Sequence, residues 1–449
     1  MPILKLKLKH KKGYKEILVY KNILFIFIFF LISQCSLDTK TGFWTKSQII
    51  EEKKDNLEEI FKSDAILEKE LNPNIKIKIQ SPFIQNPFIN NLTNNSGYIN
   101  FDSDFKEISK FKFKKIKNFE YINPDLLIGK DNSLIFFDEK GAILKFDQNS
   151  NLIWKKNHYS KNEIKQNPTI YFASEKNILI AADSIANLYG MNYLTGELLW
   201  KKSNSASFNS EIKIFDDKFF IIDFENIIRC ISVNDGNEIW SFGTEKTFIK
   251  SQRKLSLIIQ NGLVIFIDAF GDINALDINS GNLVWQSQTI NEDIFESAFL
   301  LKNSRLVSDQ DTIYVSNNQN KLFAIDSNNG LIKWEQSVNS YLEPTIIDNI
   351  ILTISDKGYF FVIDKSNGNI LRSTNILDTI KSKNIYPTGF IAAKNYIYVS
   401  LNNGRLLKAK IEDGKIESIV KIDNNKISRP YILNKKMYIL RDDAIIKIE

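Results

Sequence analysis

The stretch DINALDINSGNLVWQS at residues 272–287 decides the fold, and KLFAIDSNNGLIKWEQS at residues 321–337 repeats its pattern. Both copies carry Asp, Gly and Trp four residues apart, at Asp277, Gly281 and Trp285 and again at Asp326, Gly330 and Trp334. Looser copies extend the series, with the glycine position at residues 151, 196, 236, 281, 330, 368 and 414. A period of about 40 to 50 residues built from short strands is typical of a β-propeller.

The repeated phrase has the chemistry of a tight hairpin. Alternating residues up to Asp277 form one strand, and the Asp277 carboxylate can accept backbone N–H groups as the turn begins. Gly281 supplies the positive φ that closes the turn, and Trp285 follows on the outgoing strand, where it can pack against the next blade. Cys230 falls in a column of small or medium residues two before the Asp position, which predicts a reduced cysteine in the core.

Both ends of the chain supply the material for an eighth blade. The tail contains two strand-like runs at residues 437–440 and 444–448 with no closing strand after them, and FKFKKIK at residues 111–117 alternates apolar and basic residues. Pairing of these ends would close the ring and remove its exposed edges. The sequence therefore predicts an all-β fold, an eight-bladed β-propeller over residues 105–449 that is closed by N- and C-terminal strands.

Charge and composition exclude several function classes. The 449 residues carry a formal charge of +6, but the first 34 residues hold seven Lys and one acid, so the rest of the chain is balanced. A neutral body lacks the basic surface that drives nucleic-acid binding. The chain has two His and two Cys, too few for a His-ligated metal site or a disulfide framework. We therefore expect no metal, no cofactor and no nucleic-acid partner.

The first 34 residues have the order of a lipoprotein signal peptide. A Lys-rich start precedes an apolar run at residues 23–32, which is too short to span a bilayer, and Cys35 follows directly. This pattern is similar to the bacterial lipoprotein box, in which the chain is cut before the cysteine and the thiol is acylated. Gln34 departs from the small residue usual there, so an ordinary cleavage site or an uncleaved anchor remains the alternative. We expect residues 35–104 to form the lipidated N-terminus, a short amphipathic helix within residues 46–72 and a tether.

The repeat resembles that of pyrroloquinoline-quinone-type eight-bladed propellers. A lipoprotein leader, a tether and a single propeller together resemble the BamB family of outer-membrane assembly lipoproteins. The resemblance implies a non-catalytic scaffold, lipid-anchored on the periplasmic face of the outer membrane, that binds the barrel-inserting subunit BamA. Ser36 after the cysteine is not acidic, which agrees with sorting to the outer membrane in such systems. Unfolded outer-membrane proteins are a second candidate partner.

Two other functions are compatible with the same blades. A quinone-dependent periplasmic dehydrogenase would, by resemblance, need a vicinal cysteine pair, a calcium site and a catalytic Asp, and the body of this chain has one cysteine. A periplasmic binding or sensor propeller is the third class, and no motif favours it.

One inter-blade loop is the candidate partner site. In the BamB family a loop between two central blades carries apolar residues and an Arg that contact BamA, and the corresponding segment here is TFIKSQRK at residues 247–254. Phe248, Ile249 and Arg253 have the apolar and guanidinium chemistry of interface hot spots. The alternative is that Phe248 and Ile249 begin a buried inner strand.

Overall fold

The computed structural model describes residues 36–37, 44–45, 69–83, 88, 92–95, 97–244, 251, 253–289, 301–380 and 384–449. The chain divides into two units, residues 1–65 and residues 66–449. In the first unit the strand Ser36–Leu37 pairs antiparallel with Trp44–Thr45. Cys35 and residues 46–68, which hold most of the predicted amphipathic helix, lie outside the described residues. Where the structure describes the chain, no helix is long and apolar enough to cross a membrane.

The second unit contains eight four-stranded antiparallel sheets within its described residues, which confirms the predicted eight-bladed β-propeller. We number the blades along the chain and name the strands of each blade first to fourth, from the central channel to the rim. The strands of blades 1 to 4 are Leu127–Ile128, Leu134–Phe137, Ile143–Phe146 and Leu152–Lys156; Ile170–Glu175, Ile178–Asp183, Asn187–Asn192 and Leu198–Ser203; Lys213–Phe215, Lys218–Ile222, Ile227–Ser232 and Glu238–Gly243; Leu257–Gln260, Leu263–Ile267, Ile273–Asp277 and Leu283–Ser287.

The other four blades have the same meander. Their strands are Val307–Asp309, Thr312–Asn317, Lys321–Asp326 and Ile332–Gln336; Thr345–Ile347, Ile350–Ile354, Tyr359–Asp364 and Ile370–Asn375; Pro387–Ala393, Tyr396–Leu401, Arg405–Lys410 and Ile416–Lys421; Tyr431–Leu433, Lys436–Leu440, Ala444–Ile448 and, from the N-terminal side, Glu107–Lys112. A helix, Lys161–Ile164, lies between blades 1 and 2 and begins with a capping box formed by Ser160 and Glu163.

The second and third strands supply most of the core. In blade 4 all five residues of Leu263–Ile267 are buried or half-buried, whereas the fourth strand, Leu283–Ser287, buries only alternate residues toward its end. Apolar side chains on both faces of the inner strands pack against the blades on either side, so each inter-blade gap is filled with Ile, Val, Leu and Phe. The outer strands have one face toward solvent.

The repeated phrase forms the hairpin between the third and fourth strands. Asp277 Oδ1 accepts the backbone N–H groups of Asn279 (3.1 Å) and Ser280 (2.7 Å), and Gly281 has φ 72°. The same geometry recurs at Asp326, whose Oδ1 accepts the Asn328 N–H at 2.9 Å, and the turn again closes on a glycine with positive φ. The carboxylate thus accepts hydrogen bonds from backbone N–H groups within the turn.

The tryptophan of each phrase joins its blade to the next. Trp285 Nε1 donates to the Ser327 carbonyl oxygen of blade 5 at 3.1 Å, and the ring lies over Gly330. A Cβ at Gly330 would lie 2.5 Å from Trp285 Cε3, so this glycine is required by contact as well as by its φ of 75°. Trp334 Nε1 donates to the Lys365 carbonyl oxygen at 3.1 Å in the same way.

The ring closes through both ends of the chain, as predicted. Glu107–Lys112 pairs antiparallel with Ala444–Ile448 as the fourth strand of blade 8, with Phe111 opposite Ile445. The predicted range for this strand, residues 111–117, lies too far toward the C-terminus. The alternation of apolar and charged residues at 111–114 continues past Lys112, where the ladder ends, and the chain then turns at residues 117–121.

A segment before the closing strand lies against the ring. We call the described residues 69–83 the strap. Leu71 exchanges two backbone hydrogen bonds with Ser373 (3.0 Å each), and the Ile77 N–H donates to the Glu412 carbonyl oxygen at 2.9 Å. Gln80 N–H donates to Asp348 Oδ2 at 2.7 Å. The second unit therefore begins before residue 105, and the described part of the expected tether is attached to blades 6 and 7.

Candidate functional site

The central channel and its opening form the candidate site. The connections between consecutive blades lie on one face of the ring, which we call the loop face. The turns between first and second strands and between third and fourth strands lie on the opposite face, which we call the hairpin face. The first strands line the channel between the two faces, so residues just before each first strand converge near its axis at the loop-face end.

A group of buried and half-buried charges crosses the channel, and we call it the channel cluster. Five of its members stand two residues before a first strand and the sixth stands three before; they are Asp125, Glu211, Lys254, Arg305, Glu343 and Arg429. Arg305 is central: Nη2 lies 2.5 Å from Asp125 Oδ1, Nε 3.0 Å from Glu211 Oε1, and Nη1 3.5 Å from Glu343 Oε2. Lys254 pairs with Asp125 and Arg429 pairs with Glu343.

Nearby cations hold Asp125 and Glu211 in their charged form. Burial alone would raise the pKa of the Asp125 carboxyl, but the nearby charges of Arg305 and Lys254 outweigh it and hold that pKa well below its usual range. Burial would likewise raise the pKa of the Glu211 carboxyl. The charges of Arg305, Lys213 and Lys254 outweigh burial and lower that pKa. The cluster is thus an internally compensated network whose charges depend on one another.

Replacing Arg305 with Met should destabilise the ring by about 3 kcal/mol at neutral pH, because three carboxylates lose their shared cation. A folded-state pKa below the unfolded value gives stability that is present above about pH 4 and lost as pH falls. In the variant, burial should instead raise the pKa values of Asp125 and Glu211, so the stability difference from wild type should narrow between pH 7 and pH 5. Denaturant unfolding at the two pH values measures this. Lys302→Met, at a lysine outside the channel cluster, is the control and should cost under about 0.5 kcal/mol. An equal loss of stability in both variants would contradict the assignment of Arg305 as the shared cation.

Residues 92–95, on the N-terminal side of the ring, contact the channel cluster. Asn94 Nδ2 donates to Glu211 Oε2 at 2.7 Å and to Ser256 Oγ at 3.1 Å, and its side-chain oxygen accepts from Lys213. The Leu92 carbonyl oxygen accepts the Ile259 N–H of blade 4 at 3.1 Å. Residues 92–95 therefore lie against the first strands inside the channel, and a cavity there is lined by all six members of the cluster.

A separate cavity on the loop face, which we call the mouth, has a volume of about 540 Å3, and Arg253, Lys302 and Tyr341 are among the residues that line it. The Arg253 guanidinium lies 3.8 Å from the centre of the Tyr341 ring and donates to the Tyr341 carbonyl oxygen at 3.3 Å. Lys302 lies 5.5 Å from the same ring. Tyr121 stands at the rim with 86% of its surface exposed. Arg and Tyr side chains are enriched in protein interfaces.

A lysine at the mouth fixes the loop that leads into blade 1. The Lys426 ammonium donates to the carbonyl oxygens of Glu120 (3.1 Å) and Ile122 (2.9 Å) and to Asn123 Oδ1 (2.8 Å). Burial lowers the pKa of Lys426 to about 8. Hydrogen bonds from the Lys426 side chain therefore hold this part of the wall of the mouth, where the chain forms no regular secondary structure.

The structure describes only some of the predicted site residues. Arg253 lies half-buried at the mouth, while Phe248 and Ile249 fall outside the described residues. Cys230 is fully buried in blade 3 opposite Trp240, and burial raises the pKa of its thiol to about 12. An unreactive core cysteine fits this environment.

Sequence reasoning missed a second repeated turn and the channel cluster. In the turn between second and third strands, Asp138, Asp183, Asp223 and Asp268 each accept the backbone N–H groups two and four residues ahead. Their spacing follows the repeat and could have been found. The channel cluster had a weaker signal, because a single charged residue before each strand is ordinary in a loop.

Eight such blades, five of them with the tryptophan of the repeat, define a β-propeller of the pyrroloquinoline-quinone type. The family model described as outer membrane protein assembly factor BamB matches residues 139–374, more than half of the chain. The chain therefore belongs to the BamB family of outer-membrane protein assembly factors.

Individual relatives agree with this membership. The chain is 21% identical over 332 residues to an outer membrane protein assembly factor BamB of Shewanella oneidensis, covering 71% of this chain and 81% of that protein. It is 20% identical over 318 residues to BamB of Yersinia pestis, covering 68% and 79%. Among solved structures, BamB from Moraxella catarrhalis superposes with a TM-score of 0.61 at 15% identity, over 77% of this chain and all of that chain.

The fold is shared with enzymes. A europium-containing methanol dehydrogenase superposes with the same TM-score of 0.61 at 10% identity, over 79% of this chain and 88% of that chain. At this identity the likeness concerns architecture alone.

Proposed function

We propose that this chain is a non-catalytic scaffold subunit of the outer-membrane β-barrel assembly machinery, held at the periplasmic face of the outer membrane by a lipid on Cys35. In this proposal the loop face binds the barrel-inserting subunit, BamA or its equivalent. The observation that carries the proposal is the BamB family match across residues 139–374.

The channel chemistry supports a scaffold over a quinone-dependent dehydrogenase. A calcium and quinone site would need carboxylates free to ligate a cation. The three channel carboxylates, Asp125, Glu211 and Glu343, each already pair with Arg305, and two of them with a further cation. Among the described residues, no other group of three or more potential metal ligands is present either. The residues at the axis thus fit a packed support for the loop face and do not fit that cofactor.

The loop at residues 247–254 is the partner site in this proposal. Arg253 has a rigid position because its guanidinium stacks on Tyr341, and a fixed planar donor is well suited to a carboxylate of a partner. No ion-pair partner is found for Arg253 among the residues that the structure describes, in contrast to Arg305 and Arg429. Phe248 and Ile249 would supply the apolar anchors beside it.

The double variant Ile249→Ala with Arg253→Glu should weaken binding of the barrel-inserting subunit by at least thirtyfold, because it removes an apolar anchor and reverses a hot-spot charge. Pull-down of that subunit with the purified protein measures the effect, and thermal melting checks the fold. Arg253 is only half-buried, so the melting temperature should fall by a few degrees at most.

Lys410→Glu is the matched charge reversal, because Lys410 is exposed at the hairpin-face end of a blade 7 strand. It should leave binding unchanged. Equal weakening by both variants would indicate a general charge effect, and no weakening by the double variant would place the partner site elsewhere.

A further inference from the structure

A further cavity, which we call the throat, lies between the mouth and the channel cluster. It has a volume of about 100 Å3. Its wall shares Arg253 and Tyr341 with the mouth, and it shares Arg305 and Glu343 with the channel cluster. A single water molecule needs only about 10 to 15 Å3 of such a cavity, so the throat has room for a small molecule.

The wall of the throat carries an excess of positive charge. Five cationic side chains line it against two carboxylates; the cations are Arg253, Lys254, Arg305, Lys426 and Arg429, and the carboxylates are Asp125 and Glu343. Glu211 contacts Arg305 from outside the throat, and an excess of +2 remains when its charge is included. This charge favours a ligand with two negative charges and disfavours a metal cation.

One guanidinium of the throat has an unused buried donor. Arg429 Nη1 pairs with Glu343, and the Arg429 side chain is only 12% exposed. Its Nε atom is buried and has no hydrogen-bond partner among the described residues. The rings of Phe88 and Tyr431 lie 5.4 and 5.8 Å from this guanidinium and help to fix its position. Because a buried N–H group without a partner costs free energy, the Arg429 Nε atom marks a place for an acceptor.

Arg253 is a second cation of the throat without a counter-charge. Its guanidinium stacks on Tyr341, but it makes no ion pair with any residue that the structure describes. Burial, and to a smaller degree the charge of Arg305, lower the pKa of Arg253. An anion in the throat would offset both effects, because it would supply the negative charge that this side chain lacks.

The rest of the throat wall contains buried apolar side chains. Phe119, Phe390 and Ile427 line it and are at most 3% exposed. Charge interactions are stronger in such surroundings, because little water screens them. A wall that combines guanidinium donors with apolar side chains suits the carbon skeleton of an organic acid as well as its charge.

We propose that the throat binds a small dicarboxylic acid as its dianion, with one carboxylate accepting the Arg429 Nε–H and the two charges together offsetting the excess on the wall. A planar carboxylate matches the donor geometry of a guanidinium. Arg253 is shared with the proposed partner loop, but the ligand site does not rest on the assembly function proposed above.

Calorimetric titration of the full chain at constant ionic strength tests the site, with succinate as the probe. We expect one succinate to bind to each chain. Monomethyl succinate, which has one charge, should bind at least tenfold more weakly, and dimethyl succinate, which has none, should not bind. Inorganic phosphate has charge but no carbon skeleton, so it should also bind more weakly than succinate.

Arg429→Lys removes the unused donor and keeps a cation beside Glu343. It should bind succinate at least tenfold more weakly, because hydrogen bonds between charged groups are worth about that much in affinity. Arg229→Lys is the matched control, since Arg229 pairs with Asp223 and Glu238 in blade 3 and does not line the throat. It should bind succinate as wild type does.

Asn303→Asp tests the site without removing any cation. Asn303 lines the throat, so the variant places a carboxylate of the chain itself on the wall and should weaken succinate binding at least tenfold. Asn328→Asp adds the same charge at an exposed turn of blade 5 and should leave binding unchanged. If Arg429→Lys does not fold, the comparison of these two variants decides the question.

Three results would overturn the proposal. The first is the absence of succinate binding to wild type, which would mean that the throat holds water alone. The second is equal affinity of wild type and Asn303→Asp, which would place the bound anion elsewhere on the surface. The third is tighter binding of phosphate than of succinate, which would exclude an organic acid as the preferred ligand.

Discussion

Deletion of residues 437–449 should abolish the cooperative melting transition of the propeller. The deletion removes Ala444–Ile448 and nearly all of Lys436–Leu440, which leaves the closing strand Glu107–Lys112 without its partner. Six of the deleted apolar residues are at most 1% exposed: Met437, Ile439, Leu440, Ile445, Ile446 and Ile448. Losing even one buried Ile or Leu side chain typically costs about 2 to 5 kcal/mol, and a whole domain is stable by only about 5 to 15.

The matched control deletes residues 46–65, which lie within the first unit. We expect it to leave the melting temperature of the ring nearly unchanged. Circular dichroism melts of both deletions measure the difference. If both lose the transition, or if the C-terminal deletion keeps it, closure of the ring by its two ends does not hold the propeller together.

Replacing Cys35 with Ala should move the protein from the membrane fraction to the soluble periplasm, or leave it with its leader uncleaved. A lipid chain contributes about 0.8 kcal/mol for each buried CH2 group, and the rest of the chain has no net charge that could attach it to anionic lipids instead. Fractionation of cell envelopes with palmitate labelling measures this. Ser36→Ala is the neighbouring control and should remain labelled and membrane-bound. Recovery of Cys35→Ala in the outer membrane at the wild-type level would contradict lipidation at this residue.

The fold could be predicted because a propeller repeats its local chemistry. Asp277, Gly281 and Trp285 act within one hairpin and on the adjacent blade, so their spacing appears in the sequence wherever a blade does. The end of the closing strand could not be predicted, because the alternation at residues 111–114 continues past Lys112 and only the partner strand determines where pairing stops.

The site was less predictable because its contacts are long-range. Arg305 contacts Asp125, 180 positions away, and no local pattern marks either residue as one of a pair. The attachment of the strap was hidden for the same reason. Leu71 pairs with Ser373, and Arg372 replaces the tryptophan of the phrase in blade 6 to bind carbonyl oxygens of residues 75 and 411. The looser sixth copy of the repeat was the one signal that blade 6 differs from the others.

We propose that this chain works as a scaffold of barrel assembly. Affinity purification from detergent-solubilised envelopes is the most direct test of that role. The wild-type protein carries a C-terminal tag, and the material that co-purifies is identified by mass spectrometry. The scaffold account predicts the barrel-inserting subunit in near-stoichiometric amount with wild type, and its loss with the Ile249→Ala, Arg253→Glu variant. Recovery of wild type without that subunit, or with bound quinone and dye-linked alcohol oxidation, would contradict the account.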